Sequence, residues 1–236
     1  MPTLFDQLHE TAPLVSVGVL TADLRALGAE VELLAATGVK LVHFDVMDGV
    51  FCPMTTFGPP VVAACKSRLF RDVHLMIDEP LTKLDAYVAA GADIVTVHVE
   101  STRHIHRVFQ TLANLINVND ASRGVVRGVA LNPGTPIEAV QPLFDCVEYI
   151  LLLAVNPGWG GQKFIPSTRQ RLAHLQRLRQ ETKRKILIGV DGGITRDNVA
   201  EIAALGADII VTGSAVFDGK NAAANAAHML QAVKLP

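Results

Sequence analysis

Residues 41–49 read Leu41-Val42-His43-Phe44-Asp45-Val46-Met47-Asp48-Gly49. In a strand, Val42, Phe44 and Val46 take one face, and His43 and Asp45 share the other. A run this apolar must be covered on both sides, which is the mark of a strand in a parallel sheet. Eight such runs recur along the chain, at 14–20, 40–46, 72–77, 94–100, 125–131, 147–155, 186–191 and 208–213.

Helical patterns separate the runs. In 22–37, Leu24, Leu27, Val31 and Leu34 stand at three- and four-residue steps and mark one helix face. Residues 79–90, 101–118, 168–183 and 197–205 read the same way. Gly38, Gly91 and Gly206 stop helices just before the next strand, as left-handed C-caps do. The tetrapeptide Gly-Ala-Asp-Ile occurs at 91–94 and again at 206–209, which predicts two copies of one helix-to-strand turn. Eight β–α units in 236 residues predict an α/β fold of the (β/α)8 TIM-barrel type. Strand counting alone also admits a doubly wound open sheet. The reading takes residues 1–236 as a single domain, with 1–13 as an N-terminal extension or a short amphipathic helix carrying Leu4, Phe5 and Leu8.

Composition bounds the rest. Half the residues are hydrophobic and 19% are charged, which excludes a disordered or fibrous chain. A formal charge of −2 argues against nucleic acid or an anionic membrane as a partner. The longest apolar run, 149–155, is too short to span a bilayer. Cys52, Cys65 and Cys146 form no disulfide framework and no Cys-x-x-Cys pair. The first residues carry Asp6, His9 and Glu10 and no cationic-then-apolar leader pattern. A cytoplasmic protein is expected.

In either α/β fold the chemistry belongs at the C-terminal ends of the strands. Run 72–77 buries His74 among apolar residues, and 186–191 ends in Asp191-Gly192-Gly193. Two imidazoles and two carboxylates are thus directed at one mouth. They suit a divalent ion in an N/O site, here Zn2+, Mn2+, Fe2+ or Co2+, or proton transfer on two faces of a bound carbon. Taken singly, a strand histidine is more often a hydrogen-bonded core residue, and Asp48 before Gly49 reads as a turn residue. It is the joint arrival of the four groups that points to a site. The other half of the mouth carries glycine loops: Gly158-Trp159-Gly160-Gly161 after the sixth run, Gly192-Gly193 after the seventh and Gly213-Ser214 after the eighth. Bare backbone N–H groups there can hold a phosphate. His98 and Glu100 read as supporting groups, Asn132–Pro136 as a loop wall, and His104, His106, His174 and His228 as surface.

These residues resemble the ribulose-phosphate 3-epimerase family from about residue 14 to 218. The carrying segments include the 43–49 stretch, Asp72-Val73-His74-Leu75-Met76, Val97-His98-Val99-Glu100, Ala130-Leu131-Asn132-Pro133, the 156–166 loop, Val190-Asp191-Gly192-Gly193-Ile194 and Gly213-Ser214-Ala215. The resemblance implies a ribulose-phosphate-binding barrel that interconverts D-ribulose 5-phosphate and D-xylulose 5-phosphate. It implies His43, Asp45, His74 and Asp191 as ligands of one divalent metal. Asp45 and Asp191 would be the acid/base pair working through a metal-stabilised enediolate. His74, Met47 and Met76 would face substrate; Gly192, Gly193, Gly213 and Ser214 would hold its phosphate, with the 158–161 loop closing above. A homo-oligomer, dimer or hexamer, is expected.

Four positions depart from the family pattern. Gly18 stands where the family has a serine, Met54 where it has an asparagine, and Leu153-Ala154 where it has Met-Ser. They leave open another ketose phosphate, such as a 2-ketohexose 6-phosphate. A sugar-phosphate-binding barrel without activity is a further alternative, disfavoured by the intact aspartate pair.

Overall fold

The computed structural model describes residues 3–234; the two outermost residues at each end, included in the single-domain reading, lie outside the described residues. Each expected run forms a strand: β1 Leu14–Gly18, β2 Leu41–Met47, β3 Phe70–Met76, β4 Ile94–His98, β5 Val126–Leu131, β6 Tyr149–Leu153, β7 Leu187–Asp191 and β8 Ile209–Thr212. All neighbours pair in parallel, and β1 pairs with β8, so the sheet closes into a barrel and the open-sheet alternative falls.

Helix α1 (Leu4–Thr11) precedes β1. The outer layer comprises α2 (Leu27–Thr37), α3 (Pro59–Ala64), α4 (Leu84–Ala89), α5 (Ile105–Leu112), α6 (Thr168–Thr182), α7 (Val199–Ala204) and α8 (Ala222–Ala232). Three features differ from expectation. After β5 the chain makes a 3-10 segment, Ile137–Leu143, and Pro142 near its end, whose ring would clash with the preceding turn of an α-helix, keeps it from continuing as one. Residues 113–118 leave the helical pattern after α5, and Asn117 turns inward to bond Ala92 O and Asp93 Oδ1. Helices α3 and α8 carry little periodicity to read: α3 is six residues opening on Pro59-Pro60, and α8 is mostly alanine.

The two Gly-Ala-Asp-Ile turns are equivalent in space. Gly91 and Gly206 have φ of +96° and +89°, open to glycine without strain. The following aspartates then reach across to the preceding strand. Asp93 Oδ2 accepts from Arg71 N at 2.9 Å, and Asp208 Oδ2 accepts from Ile188 N at 2.8 Å. Arg123 and Arg179 pair with the same two carboxylates. These bonds pin β4 and β8 in register at the bottom of the barrel, where Leu4 and Leu8 of α1 pack against the inward residues Leu14, Leu41 and Ile94.

Inside the barrel a large side chain is matched by two missing ones. Tyr149 is fully buried and occupies space left by Gly128 and Gly189. A Cβ on Gly189 would stand 2.1 Å from Tyr149 Oη and 2.7 Å from Cε2 and Cζ. Gly189→Ala is therefore expected to destabilise the fold by about 1–3 kcal/mol through overpacking. Chemical denaturation checks this, and an unchanged midpoint would contradict the packing argument.

Candidate active site

His43, Asp45, His74 and Asp191 converge at the C-terminal mouth, with one donor atom of each lying within 4.8 Å of the others. The register explains it. Asp45 on β2 pairs with His74 on β3, and His43 sits two residues below Asp45 on the same face. Asp191 ends β7 and arrives from the opposite wall. His43 Nε2 is 3.3 Å from Asp45 Oδ1 and 4.0 Å from Asp191 Oδ2. His74 Nδ1 is 3.4 Å from Asp45 Oδ1 and 3.7 Å from Asp191 Oδ2.

These separations fit a divalent ion. Donors about 2.1 Å from one centre stand about 3.4 Å apart in a tetrahedron. The two ring nitrogens aimed into the cluster, His43 Nε2 and His74 Nδ1, are buried with no hydrogen-bond partner. Each ring is instead held by its other nitrogen. His43 Nδ1 lies 2.8 Å from Asp72 Oδ2, which also accepts from Ser16 Oγ at 2.9 Å. His74 Nε2 lies 2.9 Å from His98 Nε2. Asp72 and Ser16 are site residues that sequence reasoning did not single out. The available signal was the i, i+2 spacing of Asp72 and His74, which puts both on the inward face of β3.

The protonation pattern follows from crowding. Burial opposes the charged His43 ring, but Asp72 and Asp45 outweigh it and hold its pKa well above the ordinary value. Burial likewise raises Asp45, yet His43 and His74 win and hold it below the usual carboxylate range. Asp191 is pushed up to about 7, first by burial and then by Asp45 beside it. Burial lowers His98 to about 4, against its bond to Glu100. Two carboxylates facing one centre with opposed pKa shifts form an acid/base pattern.

Above the cluster lies a pocket walled by Met47 and Met76 at the ends of β2 and β3 and, across the barrel, by Leu153 of β6 and the glycine loops. Gly158, Trp159, Gly160, Gly161, Gly192, Gly213 and Ser214 all line it, along with Leu20, Thr21 and Gln162, which the sequence reading did not assign. Gln162 staples its own loop, bonding Asn156 N through Oε1 at 3.1 Å and Trp159 O through Nε2 at 3.0 Å. Two expected residues are not part of the pocket lining. His74 is fully buried, with Nδ1 turned toward Asp45 and Asp191. Gly193 is not among the lining residues; a Cβ there would stand 2.4 Å from Phe164 N, so its place is a close backbone crossing. Asp48 is a turn residue: Oδ1 accepts from Val50 and Phe51 N–H and Oδ2 from Asp78 N–H. Of the four departures, Gly18 and Leu153 line the pocket, whereas Met54 and Ala154 do not.

Fold and site thus define a (β/α)8 barrel with a His/Asp donor cluster, able to hold a divalent ion, beneath a glycine-walled pocket. The chain belongs to the ribulose-phosphate 3-epimerase family, whose profile (Ribulose-phosphate 3 epimerase family) matches residues 14–217. It is thereby an enzyme of the epimerase class, a family of carbohydrate metabolism. It is 41% identical over 206 residues to a ribulose-phosphate 3-epimerase of Bacillus subtilis, covering 86% of this chain and 91% of that one. It is 40% identical over 220 residues to the chloroplastic ribulose-5-phosphate-3-epimerase of Arabidopsis thaliana, covering 92% and 75%. A solved 3-hexulose-6-phosphate synthase from Salmonella typhimurium shares the fold at TM-score 0.67 and 18% identity, covering 93% and 98%. Among the described residues no helix is long and apolar enough to cross a membrane.

A divalent ion needs His43 neutral and Asp191 ionised, so binding must expel protons. Both groups have raised folded pKa values, so their contribution to the metal-free fold is complete below their unfolded pKa values. It is lost as pH rises through the folded ones, near 7 for Asp191. The gain in Tm on adding Mn2+ or Zn2+ is therefore expected to grow between about pH 6 and about pH 8. Thermal melts with and without the ion check this; a gain independent of pH would contradict it.

Proposed function

We propose that the protein inverts C3 of D-ribulose 5-phosphate to give D-xylulose 5-phosphate, and the reverse. The observation that carries this reading is the placement of Asp45 and Asp191 on opposite walls of one pocket, each next to the same two histidines. Membership of the epimerase family supports it.

The C3 proton of such a ketose is acidified by the C2 carbonyl. One aspartate accepts it from one face, and the other delivers a proton to the opposite face, so the configuration inverts. In the reverse direction the two exchange roles. His43, Asp45, His74 and Asp191 would hold one divalent ion, which supplies Lewis-acid polarisation of the substrate oxygens when bound. Asp72 holds the His43 ring in place from below. Met47, Met76 and Leu153 keep the reacting carbon in an apolar wall that excludes water. Backbone N–H groups around Gly192, Gly193, Gly213 and Ser214 take the phosphate, and the 158–161 loop covers it. Gly193 shapes this rim through its crossing with Phe164.

The same reading takes residues 1–236 as one domain of a cytoplasmic homo-oligomer, dimer or hexamer, acting on a small ketose phosphate, with neither nucleic acid nor membrane as partner. The free thiols of Cys52, Cys65 and Cys146 suit a reducing compartment.

Asp191→Asn is expected to lower kcat by about 10²–10⁴-fold with the fold retained. Incubation with D-ribulose 5-phosphate in D2O, followed by NMR for C3 deuterium and the epimer, reads the outcome. Wild-type exchange in this variant would defeat the two-aspartate mechanism.

A second reading, epimerisation of another ketose phosphate, is favoured by Gly18 and Leu153, because both line the pocket. A Cβ on Gly18 would meet Gly213 Cα at 3.7 Å and Asp45 Oδ2 at 3.8 Å, so a serine fits. If ribulose 5-phosphate is the substrate, Gly18→Ser with Leu153→Met should raise its kcat/KM several-fold, the worth of one hydrogen bond of about 0.5–1.5 kcal/mol. A loss, with higher activity of the wild type on a hexulose phosphate, would favour the second reading.

A further inference from the structure

Beside His74 a chain of polar contacts runs along the strand ends, from β3 past β4 to the loop after β5. His74 Nε2 meets His98 Nε2 at 2.9 Å, and His98 Nδ1 meets Glu100 Oε2 at 3.0 Å. Both rings are fully buried. The other oxygen of Glu100 is committed elsewhere: Oε1 accepts from Asn132 N at 2.9 Å and from Thr135 Oγ1. That 132–135 loop is itself gripped by Arg171 of α6, which donates to the carbonyls of Asn132, Pro133 and Thr135 at 3.0, 2.8 and 2.6 Å.

The donor and acceptor rules allow one assignment along this chain. A carboxylate only accepts, so His98 must carry its proton on Nδ1. A neutral imidazole has one N–H, so His98 Nε2 is an acceptor. His74 Nε2 must then be the donor, which leaves the lone pair of His74 on Nδ1. That is the atom found buried and unpartnered, facing Asp45 and Asp191. The reverse order would direct an N–H at the site and repel a cation.

We propose that Glu100 is a positioning residue: acting through His98, it fixes the His74 tautomer that presents Nδ1 to a divalent ion, and it ties that ligand to the 132–135 loop. The inference rests on the metal-binding reading of the four-residue cluster. It extends that reading to two residues that touch neither ion nor substrate. Such outer hydrogen bonds typically govern metal affinity by 10–100-fold.

The decisive variant is Glu100→Gln. Its single carbonyl oxygen is claimed by the Asn132 N–H, so the amide N–H2 faces His98 and asks for the opposite ring order. Zn2+-loaded protein is titrated with a chelator, and histidine 15N-labelled protein is examined by long-range 1H–15N NMR. We expect wild type to show His98 protonated on Nδ1 and His74 on Nε2. We expect Glu100→Gln to bind Zn2+ at least about tenfold more weakly. Thr135→Val, which removes a loop contact without touching the ring chain, should keep wild-type affinity. His98 protonated on Nε2 in the wild type, or wild-type Zn2+ affinity in Glu100→Gln, overturns the proposal. If Glu100→Gln does not fold, the wild-type tautomers decide alone. If the wild type takes up no Zn2+, the metal reading fails, and the same spectra still decide the tautomer relay.

Discussion

The seam between β1 and β8 closes the barrel, and the cluster at its mouth exists because of that closure. His43, Asp45 and His74 come from adjacent strands and would be neighbours in any parallel sheet with this register. Asp191 is separated from them along the sheet by β4, β5 and β6 on one side and by β8 and β1 on the other. It meets them across the barrel axis. Closure also brings Gly18 beside Gly213, so a residue near the start of the chain and one near its end share a wall of the same pocket.

Closure imposes an electrostatic burden that shapes the surroundings. Two carboxylates and two imidazoles share a space in which burial works against every charge. The protein answers with fixed hydrogen bonds: Ser16 and Asp72 behind His43, and His98 and Glu100 behind His74. Each arm leaves one nitrogen free and turned inward. A cluster so arranged could hold a cation where a tightly packed, charge-free core would be more stable, the usual exchange of stability for function at a site.

The mouth is divided by chemistry. One half, at β2 and β3, supplies His43, Asp45, His74 and two methionines. The other supplies Asp191 and otherwise mostly backbone, with glycines where the chain turns left or passes close to another segment. Gly158, at φ +117°, approaches Pro53 of the loop after β2, so the 158–161 loop touches the half of the mouth that carries His43 and Asp45. The proposed ketose phosphate would use both halves, since its reacting carbons and its anionic end lie at opposite ends of one small molecule.

Much of this was legible in the sequence, because strand alternation and the position of polar residues at strand ends are local properties. The run 41–47 announces both its apolar face and its His43/Asp45 face, and the repeated Gly-Ala-Asp-Ile turns announce their glycines. Other features depend on residues far apart in the chain. That the sheet is closed, that Asp72 serves His43 and not its own-strand neighbour His74, and that Gly193 crosses Phe164 without lining the pocket were set by register and packing. So was the link from His74 through His98 to Glu100 and the 132–135 loop, which joins three strand ends. Side-chain periodicity is written in each segment by itself; which segments meet, and which nitrogen of a histidine is left bare, depends on hydrogen-bond partners that only the folded barrel brings within reach.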